Sequence, residues 1–264
     1  MLETGTYVAL GSSFAAGPGL RPRAAGSPVL AGRSAINYAH LTASALRLPL
    51  IDVTYSGATT DDLLRPHRRG APAQLHAVTP DTRLVTITAG GNDIGYLGVL
   101  TNASLPRALR AVPSVRAHLP ESLPAGILDE RFAALSRRLL DVITGIRSVA
   151  PDAKVIIVDY LTILPSTGLA LPGRLTNADT QWARAVAARL TQTYATVAAE
   201  SGVTLLPVAD ASAEHHAWSS EPWTNRFKLR MSGGAAYHPT AAGMRAVSGL
   251  ILRHLHADAG AEPA

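Results

Sequence analysis

Five short runs rich in β-branched residues, Thr6–Leu10, Leu50–Thr54, Leu84–Thr88, Val155–Asp159 and Val203–Val208, alternate with segments of helical periodicity. That alternation argues for a parallel sheet flanked by helices. Several runs are almost continuously apolar, as strands covered on both faces should be. Between them, Ile36–Leu46 reads as a first helix. Leu128, Phe132, Leu135, Leu139, Val142 and Ile146 recur at three- and four-residue steps, an amphipathic stripe that Pro151-Asp152 ends. Thr176 or Asn177 is placed to cap a helix carrying Trp182, Val186, Leu190, Tyr194 and Val197, stopped at Gly202. A last helix starts near Pro239-Thr240 and should bury Met244, Val247, Ile251 and Leu255. The Pro-bearing stretch Gly95–Gly126 stands outside the alternation and is expected over the carboxyl ends of the strands, where α/β folds form pockets.

The chain of 264 residues, 47% of them hydrophobic, is long enough for one core burying roughly 70–75% of its unfolded surface. No polar linker or solenoid-like repeat divides it, so one domain over 1–257 with a disordered tail from Asp258 to Ala264 is expected. The net charge of +5 does not point to nucleic acid. The excess is mostly arginine dispersed along the chain, without an aromatic-interleaved basic block. Cysteine is absent, which excludes disulfides, thiolate nucleophiles and cysteine-based metal sites. No run approaches the ~18 apolar residues of a membrane span. Met1-Leu2-Glu3-Thr4-Gly5 has no signal-peptide pattern before the first strand. A cytoplasmic protein is therefore expected, or a secreted one if this numbering describes a trimmed mature form.

Three of the five strand runs end in glycine-bearing turns: Gly11-Ser12-Ser13, Ser56-Gly57-Ala58 and Gly90-Gly91-Asn92-Asp93. Tyr237-His238-Pro239 adds a histidine just before the last helix. A hydroxyl, turns offering backbone N–H groups, an amide and an imidazole are what ester cleavage requires. Each piece has a plainer reading taken alone. Ser12 and Ser13 would cap a helix, Gly57 would serve a turn, and a histidine is more often structural than catalytic. His215-His216 lacks metal-site spacing, and the glycines at 90 and 91 lack the spacing of a dinucleotide loop.

Together these blocks resemble the SGNH, or GDSL-type, serine hydrolases, named for Ser, Gly, Asn and His in this order. The likeness spans Tyr7 to about Leu255 and includes Asn37-Tyr38 and Pro222-Trp223, which resemble the actinobacterial-type secreted esterases and lipases. Those relatives usually carry disulfides, with a cysteine where Tyr55 stands. The resemblance implies a three-layer α/β/α sandwich whose five-stranded parallel sheet has flavodoxin-like strand order. It implies a carboxylic ester hydrolase needing no cofactor and acting on a small-molecule ester. Ser13 is then the nucleophile, His238 the general base, and Ser13 N–H, Gly57 N–H and the Asn92 amide the oxyanion donors. Ser12 and Phe14 replace the Asp and Leu of the family motif.

The family's orienting Asp, three residues before the histidine, is replaced by Ala235. Some relatives use a main-chain carbonyl there, and the Ala235 carbonyl is the leading candidate, against Asp210, Glu214 or Glu221 as remote carboxylates. Asp93 is expected to fasten its own turn, because a carboxylate facing the oxyanion would oppose the chemistry. Trp218, Trp223 and Phe227 are candidates for an apolar acyl pocket. Short- to medium-chain acyl esters are the expected substrates. The alternatives are acyl transfer or lipase and phospholipase chemistry at the same site, or a catalytically silent ligand-binding module.

Overall fold

The computed structural model describes residues 5–67, 70–113, 122–166, 174–228 and 234–260. Its elements, in chain order, are β1 (Thr6–Gly11), α1 (Ser13–Ala16), α2 (Tyr38–Leu46), β2 (Leu50–Asp52), α3 (Thr60–Leu64), β3 (Thr82–Thr88), α4 (Tyr96–Ser104), α5 (Arg107–Arg110), α6 (Ala125–Val149), β4 (Lys154–Val158), α7 (Asn177–Ser201), β5 (Thr204–Leu206), α8 (Val208–Ala211) and α9 (Ala241–Gly260). The five strands are all parallel, in the order β2-β1-β3-β4-β5. That is the flavodoxin-like order, and the chain changes direction across the sheet between β1 and β3. Ligands of open α/β sheets bind outside the carboxyl ends of the strands at such a switch point.

The strands are shorter or longer than their apolar runs for local reasons. β2 stops at Asp52 because its carboxylate accepts from both the N–H (3.0 Å) and the hydroxyl (2.6 Å) of Thr54, turning the chain. β5 stops at Leu206 because Pro207 has no N–H to give the ladder. β1 and β3 form the longest ladder, and Tyr7 and Thr86 on these central strands hydrogen-bond through their hydroxyls at 2.8 Å.

One helical layer consists of α2 and α9, which pack together and share a hydrogen bond from the hydroxyl of Thr42 to that of Ser248 at 2.9 Å. The other contains α3, α6 and α7. The stripe of α6 buries Phe132, Leu135, Leu139, Val142, Ile143 and Ile146 against the sheet, each such side chain stabilising by ~1.5–3 kcal/mol. Thr176 caps α7 through a reciprocal pair with Asp179, and Gly202 ends it in a left-handed conformation at φ 62°. α9 buries Met244, Val247, Ile251 and Leu255, as the periodicity requires. It also runs past the point where the tail was expected to begin. Asp258 is helical and accepts from Nζ of Lys154 at 2.7 Å, an anchor that sequence pattern does not reveal. Among the described residues no helix is long and apolar enough to cross a membrane.

Candidate active site

The hydroxyl of Ser13 lies 2.7 Å from Nε2 of His238, although 225 positions separate them. Ser13 is the first residue of α1, directly beyond the end of β1, and is buried. Its N–H group is an unpaired donor by position, since the first N–H groups of a helix have no intrahelical acceptor. Ser12 occupies the cap position, but its side chain makes no cap. It points instead to Oη of Tyr160, 3.3 Å away. Gly11 is held from the side by Gln74, whose Oε1 accepts from the Gly11 N–H at 2.7 Å while its Nε2 donates to the Gly11 carbonyl at 3.0 Å.

Three further bonds bring the glycine turns together. Tyr55 N–H donates to the Gly11 carbonyl at 2.9 Å, and Ser12 N–H to the Thr88 carbonyl at 2.9 Å. The Asn92 side-chain amide donates one hydrogen to the Ala58 carbonyl at 2.8 Å, which fixes its orientation and leaves its second hydrogen for another acceptor. Gly57 has φ 83°, a left-handed conformation that β-carbon-bearing residues resist. Among the described residues, the N–H groups of Ser13 and Gly57 donate to no protein acceptor.

Asp93 does more than fasten its own turn. Its carboxylate accepts from the N–H of Thr60 (3.1 and 3.0 Å) and from the Thr60 hydroxyl (2.5 Å), at the first residue of α3. It therefore latches the third glycine turn to the second. Burial raises its pKa, against the Thr60 hydrogen bonds and nearby Arg138, which favour the charged form.

The imidazole of His238 is oriented by a main-chain carbonyl, but not by that of Ala235. Nδ1 lies 2.8 Å from the carbonyl oxygen of Ala236. The reason is the local turn. The Ala235 carbonyl is already taken by the N–H of His238 at 3.2 Å, and Tyr237 adopts φ 61°, which swings the Ala236 carbonyl toward the ring. Asn225 braces this turn, donating its N–H to the His238 carbonyl (2.9 Å) and accepting from Tyr237 N–H (3.0 Å). The hydroxyl of Tyr237 meets that of Ser104 on α4 at 2.6 Å. Since a carbonyl only accepts, Nδ1 carries the proton and Nε2 faces Ser13 as the acceptor. Burial lowers the pKa of His238, partly offset by the Ala236 hydrogen bond.

Asp210, Glu214 and Glu221 stand elsewhere. Among the described residues no carboxylate pairs with His238. Glu214 borders an apolar cavity of about 230 Å³, and the backbone carbonyl of Glu221 contacts Nδ1 of His215 at 2.9 Å. His215 stacks on Trp223 with ring centroids 4.1 Å apart, whereas His216 accepts from Trp218 N–H at 3.1 Å. The two histidines thus serve separate contacts. Among the described residues no cluster of three His, Cys, Asp or Glu could hold a metal ion. Trp218, Trp223 and Phe227 pack partly buried against the core and do not border the apolar cavity, whose walls include Tyr96, Tyr160, Leu161, Ile163, Leu164 and Pro165.

Tyr160 is the supporting residue that motif reasoning overlooks. Its hydroxyl accepts from Gly91 N–H at 3.0 Å and meets Ser12, joining the first and third turns. Gly91 must lack a side chain here, because a β-carbon would fall 2.8 Å from that oxygen. The ring packs on Phe14 at 4.5 Å, and Phe14 packs on His238 at 5.8 Å. Burial pushes the phenol pKa up to about 12, so it stays neutral at ordinary pH. Its position just beyond the fourth apolar run is the signal that could have found it. Gln74, in a short 3-10 turn between β2 and β3, offered none.

Residues 9–246 match the GDSL-like Lipase/Acylhydrolase family. Lipase 2 of Streptomyces coelicolor is 33% identical over 250 residues, covering 90% of this chain and 82% of that protein. Phospholipase A1 from Streptomyces albidoflavus NA297 superposes with a TM-score of 0.74 at 27% identity, covering 95% of this chain and 98% of that one. The extracellular lipase from Streptomyces rimosus gives a TM-score of 0.73 at 27% identity, covering 95% and 99%. This chain therefore belongs to the GDSL-like lipase/acylhydrolase family and is a carboxylic ester hydrolase.

Proposed function

We propose that the chain is a serine carboxylesterase acting on short- to medium-chain acyl esters through a Ser13 acyl-enzyme. The 2.7 Å contact between Ser13 Oγ and the acceptor nitrogen of His238 carries this reading. His238 Nε2 takes the proton as Oγ adds to the ester carbonyl, and the tetrahedral oxyanion receives hydrogen bonds from Ser13 N–H, Gly57 N–H and the second Asn92 amide hydrogen. His238 then gives the proton to the departing alcohol. Water, activated by the same nitrogen, releases the acid. The Ala236 carbonyl keeps the ring in the tautomer that each step needs, leaving a Ser–His dyad in place of a triad.

The apolar cavity of about 230 Å³ beside Tyr160 is the candidate acyl site, although none of Ser13, Gly57, Asn92 and His238 lines it. The names of the relatives favour lipase or phospholipase chemistry as the second reading, and both readings use the same site. A panel of p-nitrophenyl esters from two to sixteen carbons separates them. Turnover should peak at short to medium chains and fall by Ser13→Ala and by His238→Ala ~1,000-fold or more. Wild-type rates in either variant refute the assignment, and a maximum at the longest chains favours the lipase reading.

A further inference from the structure

Seven large hydrophobic side chains are exposed among the described residues, and five of them stand on segments tied to the active site. Val29 and Leu30, 72% and 60% exposed, sit in a short turn whose Ala31 carbonyl accepts from both the N–H and the hydroxyl of Ser56, next to Gly57. Leu109 and Val112 lie on and just after α5, which follows the α4 residue Ser104 bonded to Tyr237. Ile127 is in the first turn of α6, one turn before Arg131, whose guanidinium donates to the Asp93 carbonyl at 3.1 Å. Each group is thus fastened to a different fragment of the site. The other two, Ile51 on the edge strand β2 and Val149 at the far end of α6, are not.

Single exposed apolar residues are ordinary, but a grouping of them around a site marks an interaction surface. Exposed arginines accompany this one. Arg21 and Arg23 precede the Val29 turn, and among the described residues no carboxylate pairs with either. Arg65 and Arg131 border a polar cavity of about 550 Å³ with Asn92 in its wall. Asp61 and Glu130 share that cavity, and Asp61 pairs with Arg65 at 2.9 Å, so the unmatched charge lies on the Arg21–Arg23 side. Apolar side chains at the tips of segments, with arginines able to reach outward beside them, suit the boundary of an anionic lipid layer.

We propose that this rim docks the active site onto a lipid surface bearing anionic headgroups, with Val29 and Leu30 entering the apolar layer and Arg21 and Arg23 meeting the headgroups. The proposal rests on the ester-hydrolase reading only for its purpose, since docking itself needs no turnover. The test uses full-length Ser13→Ala protein, sedimented with vesicles of phosphatidylglycerol or of phosphatidylcholine. It should bind the anionic vesicles, bind the zwitterionic ones at least ~10-fold more weakly, and lose affinity between 0.05 and 0.5 M NaCl. Val29→Ser with Leu30→Ser should weaken binding at least ~10-fold. In the otherwise wild-type protein, the same two changes should leave hydrolysis of soluble p-nitrophenyl acetate unchanged. No binding to phosphatidylglycerol, equal binding to both lipids, or undiminished binding of the double variant overturns the proposal. So does a double variant that merely turns a dimer into a monomer, which would make the rim a contact between copies. Failure of the ester-hydrolase reading is seen separately, as absent p-nitrophenyl acetate cleavage by the unaltered protein.

Discussion

Ala236 presents its carbonyl oxygen to Nδ1 of His238 at 2.8 Å, the position that a catalytic triad gives to a carboxylate. A carbonyl dipole orients the ring and fixes its tautomer but supplies no counter-charge to the imidazolium. Remote acids should accordingly contribute little. Asp210→Ala, Glu214→Ala and Glu221→Ala are each expected to keep kcat for p-nitrophenyl butyrate within about threefold of the parent. A loss of ~10,000-fold in any one of them, the scale seen when a triad acid is neutralised, would reveal a hidden third member.

The rate should depend on pH through a histidine that titrates below its usual range. Burial lowers the pKa of His238 from 6.5, and only the neutral ring can act as base. The plot of kcat/KM should climb with pH through a midpoint below 6.5 and then level off. Stability follows the same sign. Between the lowered folded value and the unfolded ~6.5 the unfolded chain binds more protons. The contribution is therefore complete above pH 6.5 and lost as pH falls through the folded pKa. Urea melts of the parent and His238→Asn across pH 5–8 should differ in slope in that window.

Asn92→Ala should reduce kcat ~100–1,000-fold with a much smaller change in KM, because its free amide hydrogen serves an oxygen that is charged only in the transition state. Steady-state kinetics on p-nitrophenyl acetate decide this. A change confined to KM would place Asn92 in ground-state binding instead.

Tyr160→Phe keeps the ring on Phe14 but removes the oxygen that Gly91 and Ser12 share. The buried Gly91 N–H loses its acceptor, so a stability loss of about 1–3 kcal/mol is expected. If Tyr160 positions the turns, kcat falls by about tenfold while KM and the pH midpoint stay put. An unchanged kcat alongside the stability loss would restrict the residue to packing.

The fold was legible because a parallel sheet covered on both faces writes itself as apolar β-branched runs, and all five are strands. Their ends were less so, since Asp52 and Pro207 stop strands through a side-chain turn and a missing N–H rather than through hydropathy. The four motif fragments lie together, with Ser13 against His238 and the Asn92 amide bonded to the residue after Gly57. Ala236 was missed by one residue because the left-handed Tyr237, a conformation no propensity assigns to tyrosine, decides which carbonyl faces the ring. The partners of Gly11 and Gly91 were illegible for another reason. Gln74 lies 63 residues from one and Tyr160 lies 69 from the other, and nothing in composition announces such a contact.

The bonds among Gln74, Gly11, Tyr55, Ala58, Asn92, Asp93, Thr60, Gly91, Tyr160 and Ser12 tie the three turns to one another by more than one route. Redundancy of this kind makes damage graded: severing one route leaves others bearing the geometry. Replacement of a single supporting residue should then weaken the site without abolishing it. The two atoms that exchange the proton enjoy no such insurance.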